Sequence, residues 1–386
     1  MSSTKVFNFV IFIVVCVGCG TYAQYDFDGE CRTPNGESAN CISIYDCPLL
    51  LKSIRSGNPS KMQFLKNSHC GYDRDPLVCC GSDDDFETDS SDESSEVSLR
   101  GTNGRREVRN TALPGRNSCG FQETDKILGG ENADMDEFPW MARLQYQNAT
   151  GHRSFACGGS LISPRYVLTA AHCLTGEIVV KLGRLVSVRL GEWNANSNVD
   201  CVGVQRKMKI CNDPPVDVGI ESAIPHERYN VNDDNRHNDI GIVRLNRKVS
   251  YSNFVRPICL PLPNEASRPG EGLFVSGWGR TLTSSKSAIK QKLRVPFADK
   301  SSCSRRFSSA RIQLSDGQIC AGGEKDKDSC RGDSGGPLMT TTRGDPSQWY
   351  IEGIVSFGAN CGTFGWPGVY TKVSSYLNWI SQNVRN

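Results

Sequence analysis

The sequence predicts an all-β main domain preceded by a small disulfide-stapled one, and three observations carry that reading. From about Ile127 onward, short alternating apolar runs are separated by Gly, Pro and Asn turns. Examples are Ser160-Leu161-Ile162-Ser163 with Tyr166-Val167-Leu168, and Ile240-Gly241-Ile242-Val243-Arg244-Leu245. Many short strands with frequent turn signals indicate a barrel or sandwich. Six cysteines crowd the segment from Cys31 to Cys80, too short a stretch to be stable without crosslinks. At 386 residues the chain suits two domains, one of them large.

Composition excludes little by itself. The 38% hydrophobic content suits a chain with a real core, and the formal net charge of +2 gives no global argument for nucleic acid or an anionic membrane. The N-terminus carries Lys5, an apolar run to Val17, and Thr21-Tyr22-Ala23. That pattern reads as a secretory signal over residues 1–23, cleaved after Ala23 where small side chains fit the peptidase pocket. The run falls short of the roughly 20 apolar residues needed to span a bilayer, so no membrane anchor is expected.

Secretion decides how the cysteines are read. Without Cys16 and Cys19, 16 of the 18 remain, an even number in an oxidising compartment. Zinc would need paired Cys-x-x-Cys knuckles, which the mature chain lacks. The first six are Cys31, Cys41, Cys47, Cys70, Cys79 and Cys80, and six cysteines allow 15 pairings. Between them a short helix is expected over Cys47–Ile54, with Pro48 in its first turn and Gly57 as a stop.

A linker over residues 81–126 follows, acidic through Glu96 and then basic with Arg100, Arg105, Arg106, Arg109 and Arg116. Self-repelling charge with almost no apolar residue predicts a solvated tether. The basic part also offers an electrostatic contact to a partner or to the large domain. Within that domain the only helical spacing lies at the end, from Tyr376-Leu377-Asn378-Trp379-Ile380.

Three segments carry chemistry. Gly332-Asp333-Ser334-Gly335-Gly336-Pro337 surrounds a serine with glycines, which leaves backbone N–H groups open to a substrate carbonyl. A hydroxyl nucleophile needs those donors and an adjacent base, although a Gly-rich turn with a serine is often only structural. Thr169-Ala170-Ala171-His172-Cys173 offers the base, since His172 alone of the five histidines ends an apolar run beside a cysteine. Asn238-Asp239-Ile240 places a carboxylate at a strand's edge, where it can be held and desolvated to orient an imidazole. Asp233 and Asp234 are rivals in a polar loop.

Together these segments resemble the chymotrypsin-like serine proteases, in their trypsin-like branch, from Ile127 to the C-terminus; the order His, Asp, Ser is that family's. The resemblance implies a double six-stranded β-barrel with a C-terminal helix over residues 127–386. It implies Ser334 as nucleophile, His172 as general base then acid, and Asp239 as its orienting acid. The N–H groups of Gly332 and Ser334 would form the oxyanion hole, and no cofactor is needed for the chemistry. Asp328, six residues before Ser334, falls where the trypsin-like branch keeps its pocket carboxylate, with Gly358 and Gly368 as pocket walls. That implies cleavage after Arg or Lys, although without the motif Asp328 would read as one charge of a solvated run.

Lys126-Ile127-Leu128-Gly129-Gly130 resembles the family's activation site. Cutting after Lys126 would free the Ile127 amino group to pair with Asp333, and Lys126 implies a trypsin-like upstream activator. The resemblance pairs Cys157 with Cys173, Cys303 with Cys320, Cys330 with Cys361, and Cys119 with Cys259. Cys201 and Cys211 are additional and would staple one loop. Residues 31–80 resemble a clip domain, ending in the adjacent Cys79-Cys80, which implies Cys31–Cys79, Cys41–Cys70 and Cys47–Cys80. The whole is similar to the easter and prophenoloxidase-activating enzyme group, implying an extracellular cascade in innate immunity or development, a protein substrate and a serpin-type inhibitor.

Glu192, Asn194, Ser197 and Asp200 resemble that group's calcium loop, against the reading of an ordinary polar surface loop. Asn148-Ala149-Thr150 is a glycosylation acceptor. Phe357 replaces a usual Trp, and Arg331 replaces a usual neutral residue at the pocket lip, which predicts a preference for acidic residues flanking the cut. The alternative is a non-catalytic clip-domain relative that acts as a binding cofactor, in which Gly often stands at position 334.

Overall fold

The computed structural model describes residues 30–51, 61, 64–65, 67–73, 75–82, 112–122, 131–204, 208–262, 265–279, 284, 286–324, 333–359 and 363–385. The expected signal segment, most of the linker, Lys126, Ile127, Asp328, Cys330, Arg331, Gly332 and Cys361 lie outside them. The chain divides into two compact units, Met1–Thr102 and Asn103–Asn386.

In the first unit four antiparallel strands, β1 (Glu30–Arg32), β2 (Ser38–Ser43), β3 (His69–Asp73) and β4 (Asp75–Cys80), lie in the order β1-β2-β4-β3. Their apolar cluster is small, with Leu50, Phe64, Leu65 and Val78 around Cys47. Three disulfides, Cys31–Cys79, Cys41–Cys70 and Cys47–Cys80, tie the strands and the segment before Leu50 together. By constraining the unfolded chain they supply stability that so small a core cannot. Of the expected Cys47–Ile54 helix, residues 48–51 are helical, Cys47 precedes the helix, and residues 52–54 lie outside the described residues.

The second unit is β-rich. Six strands close a barrel: β6 (Met141–Gln147), β7 (Arg153–Ser163), β8 (Tyr166–Thr169), β9 (Arg184–Leu190), β12 (Val216–Pro225) and β13 (Gly241–Leu245). Between β9 and β12, the hairpin of β10 (Cys201–Val204) and β11 (Met208–Cys211) is stapled by Cys201–Cys211. A seven-stranded sheet makes the other half. It contains β5 (Glu131–Asn132), β14 (Gly272–Gly277), β15 (Gln291–Pro296), β16 (Gln318–Ala321), β17 (Pro337–Thr342), β18 (Asp345–Phe357) and β19 (Gly368–Lys372). Their order is β16-β19-β18-β17-β14-β15-β5. Bonds from Ala298 N to Cys320 O (2.9 Å) and from Gly322 N to Pro296 O (2.8 Å) bring the end of β15 back to β16. Six strands thus curl into a second barrel-like sheet, with β5 added at its edge.

Two helices depart from the expectation that only the C-terminus is helical. In α1 (Glu177–Leu182) the run Ile-Val-Val reads as a strand, but Gly176 and Gly183 at φ 75° and 90° delimit a single helical segment. Its only ion pair within the helix joins Glu177 and Lys181. In α2 (Lys300–Ser308) the apolar signal is reduced to Cys303 and Phe307, one turn apart and both buried. Asp299 caps it by accepting from Ser302 N, a local bond that outweighs weak periodicity. The C-terminal helix α3 spans Leu377–Asn383.

Large aromatics join the two halves. Trp349 of β18 has ring centroids of Phe138 and Phe274 at 5.3 and 5.5 Å, both edge-on, and Trp140 at 6.3 Å. Such pairs add about 0.5–1.5 kcal/mol each beyond the area they bury. Phe138 and Trp140 lead into β6 while Phe274 lies on β14, so this cluster fixes one barrel against the other.

Candidate active site

His172 is positioned by a strand end and a crosslink. β8 stops at Thr169, and a 3-10 turn over Ala171–Cys173 presents His172 while Cys173 is tied to Cys157 of β7. Asp239 precedes β13, after Asn238 at φ 58°, a left-handed conformation that Asn tolerates better than most residues. Its carboxylate is fully buried. Oδ1 accepts from His172 N at 2.9 Å, and Oδ2 lies 2.7 Å from His172 Nδ1. An ionised carboxylate can only accept, so Nδ1 is the donor, and in the neutral imidazole the acceptor is then Nε2.

Two residues of the second barrel complete the arrangement. Ser356 Oγ donates to Asp239 Oδ2 at 2.5 Å, and Thr371 Oγ1 donates to the Asp239 carbonyl at 2.7 Å. Burial pushes the Asp239 carboxyl up, but His172 and Ser356 outweigh it, and its pKa sits below the usual carboxylate range. Neither Ser356 nor Thr371 carries a sequence signal: both read as ordinary strand residues, and only the pairing of β18 with β19 brings them to Asp239.

Ser334 lies in a turn between two strands. Gly158 N of β7 donates to Ser334 O at 2.7 Å, and on the other side Gly335 N donates to Val355 O of β18 at 2.9 Å. Cys173 Sγ lies 3.6 Å from Ser334 O, so the crosslink behind His172 also touches the serine's backbone. Gly335 has φ +80°, and a Cβ there would stand 2.2 Å from Thr169 Oγ1 and 2.6 Å from Gly158 O. Only glycine lets the turn approach β7 and β8 this closely. Asp333 turns its carboxylate to Gly277–Gly279, where Oδ1 accepts from Gly279 N at 2.9 Å.

The rival acids fall elsewhere. Asp233 Oδ2 is 3.0 Å from His237 Nδ1, and Asp234 is exposed. Gly358 is exposed just past β18, while Gly368 is buried at the start of β19. Cys119–Cys259 and Cys303–Cys320 are disulfides of this unit. Asn148 lies in the turn between β6 and β7, with Oδ1 accepting from the Thr150 hydroxyl at 2.8 Å. Phe357 packs edge-on against Phe307 at 5.8 Å. Cys157, His172 and Cys173 converge within 4.8 Å, but both sulfurs are spent in a disulfide and offer no thiolate to a metal.

The 192–200 loop contains two buried carboxylates. Glu192 is compensated, with Arg189 Nη1 at 3.2 Å and Arg143 Nη1 at 3.6 Å from Oε2. Asp200 is 4% exposed, and its partners are Asn194 N, Asn212 and the Ser197 hydroxyl, all neutral. No salt bridge reaches Asp200 among the described residues. A buried carboxylate that meets neutral donors and no salt-bridge partner among the described residues, beside further oxygens, fits a hard cation.

The Asp239 arrangement has a pH signature. Its pKa is lowered on folding, so its stabilising contribution is present above about pH 4 and is lost as pH falls through the folded value. Denaturation midpoints measured from pH 6 to pH 2 should fall less steeply in Asp239→Asn than in the parent.

Two family models match this chain. Residues 127–380 match the trypsin family model, and residues 31–80 match that of the regulatory CLIP domain of proteinases. Phenoloxidase-activating factor 1 of Holotrichia diomphalia is 47% identical over 357 residues, covering 92% of this chain and 93% of its own. Serine protease 7 of Drosophila melanogaster is 43% identical, with 97% of each chain covered. The Drosophila Grass clip serine protease of the Toll pathway, a crystal structure, superposes with a TM-score of 0.58 at 31% identity, over 92% of this chain and 97% of that one. This chain belongs to the trypsin family, as a clip-domain, trypsin-like serine endopeptidase.

Proposed function

We propose that the chain is a secreted zymogen which, once cut after Lys126, hydrolyses extracellular proteins after Arg or Lys. The observation that supports the chemistry most directly is the buried Asp239 carboxylate, 2.7 Å from His172 Nδ1. In this reading the other ring nitrogen, Nε2, is the base for Ser334. Nε2 takes the Ser334 hydroxyl proton as Oγ attacks the scissile carbonyl, and the oxyanion accepts from the N–H groups of Gly332 and Ser334. His172 then gives that proton to the leaving amine as the C–N bond breaks. In the second half His172 takes a proton from water as it attacks the acyl carbon, and returns that proton to Ser334 Oγ as the C–O bond breaks.

In this reading Asp328 supplies the charge that receives the Arg or Lys side chain, with Gly358 and Gly368 leaving room for it. A buried carboxylate without a cation is costly, so an apolar side chain would be rejected. The Ile127 amino group, released by the cut, pairs with Asp333, which already lies against Gly279. The segment ending at Lys126 stays attached through Cys119–Cys259.

A Lys at the cut implies an activator of the same specificity, and hence a place inside a cascade. Two relatives are named for activating phenoloxidase and for the Toll pathway. Those names support innate immunity or developmental signalling as the setting, with a serpin-type inhibitor as a further partner. Among the described residues no helix is long and apolar enough to cross a membrane, and Asn148 is proposed as glycosylated.

Calcium is proposed as a structural ion of the 192–200 loop, held by Asp200 and Glu192 with Asn194 and Ser197. Millimolar calcium should raise the melting temperature of the parent over that in EDTA, and Asp200→Asn should remove the difference. An unresponsive parent would dismiss the ion.

The function is tested with an Arg-ended chromogenic anilide, before and after the cut at Lys126. Hydrolysis should appear only after it, and Ser334→Ala should lower kcat by about a millionfold. Silence after a clean cut, with the fold intact, would favour the non-catalytic binding cofactor.

A further inference from the structure

The turn at Ser334 has two unlike flanks. On one it is bonded to Val355 of β18, which runs on toward Gly358. On the other it is bonded to Gly158 of β7, and there the surface opens into a cleft of about 240 Å³. Met141, Phe155 and Trp278 give this cleft apolar walls, and Arg143 and Lys286 give it two cations. Asp333 also lines it, with its carboxylate bonded at Gly279.

The two cations are held differently. Arg143 is built into the wall, its guanidinium carbon 4.5 Å from the Phe155 ring centre and 5.1 Å from that of Trp278. Its charge is answered by Glu192, which also serves Arg189. Lys286 is exposed, and its Nζ donates to the Phe155 carbonyl at 3.2 Å. Among the described residues no carboxylate forms a salt bridge with it. The cleft therefore presents an apolar floor with an ammonium group at its rim.

A polypeptide whose carbonyl is seated at Ser334 must leave the site along both flanks. If the residue before the cut runs along β18 toward Gly358, the residues after it enter the β7 cleft. An extended chain advances about 3.3 Å per residue, so the cleft is reached within the first three residues beyond the bond. We infer that this cleft selects an acidic side chain with an apolar stem, glutamate over glutamine, among those three residues. Methylenes cover Phe155 and Trp278 while the carboxylate meets Lys286. This deepens the endopeptidase reading and rests on it.

The test uses the full-length protein cut at Lys126 and fluorogenic peptides with Arg before the scissile bond. Glu or Gln is placed in turn at each of the three following positions. At one of them the parent should show kcat/KM about fivefold higher for Glu, the scale of a partly exposed ion pair. Lys286→Gln should bring that ratio toward one, and Lys286→Glu should bring it below one. Equal rates for Glu and Gln at all three positions, or a ratio unchanged in Lys286→Glu, would overturn the inference. An anilide carries no residue beyond the bond. A parent that cleaves the anilide but shows no Glu preference refutes the cleft alone, whereas a parent silent on the anilide refutes the endopeptidase reading and the inference with it.

Discussion

Asp239 is a carboxylate with no exposed surface, and an ion in that position costs several kcal/mol unless charge and hydrogen bonds compensate it. Three donors compensate it: the His172 ring, the His172 backbone N–H and the Ser356 hydroxyl, while Thr371 holds the Asp239 backbone carbonyl. His172 belongs to one barrel, and Ser356 and Thr371 to the other. The acid can therefore be both buried and ionised only when the barrels are docked, which makes an oriented His172 a consequence of the whole fold. The aromatic cluster around Trp349 supplies the packing that keeps them docked.

Covalent links sharpen the same geometry. Cys157–Cys173 joins the strand that bonds Ser334 to the turn that presents His172, so the two residues share one rigid frame. Gly335 admits the close approach, because any side chain there would collide with Thr169 and Gly158. In the clip unit crosslinks act differently: they replace a core that four short strands cannot build.

Much of this was legible in the chain. Alternating runs such as Ile240–Leu245 are strands because one face must be buried, and the Gly-rich turn at Ser334 and the strand-end positions of His172 and Asp239 stand out locally. What escaped the sequence is what depends on pairing across distance. Ser356 looks like any strand residue until β18 meets the Asp239 loop. Glu192 and Asp200 look alike in the chain, and only the fold shows that Arg143 and Arg189 face Glu192 while no salt bridge reaches Asp200 among the described residues. The helix α2 escaped because two buried residues one turn apart are too few to outweigh a polar run. Lys286 and Arg143, more than a hundred positions apart, become one feature only across the cleft they line.

If a buried, ionised Asp239 makes His172 the base for Ser334, no other serine of the chain should be activated. The most direct test is covalent: the cut protein is treated with a fluorophosphonate and the adduct located by peptide mass analysis. A single phosphonylated residue, Ser334, is expected, with labelling slowed by about three to four orders of magnitude in Asp239→Asn while the fold is retained. An adduct on a different serine, or equal labelling rates in the parent and in Asp239→Asn, would contradict this.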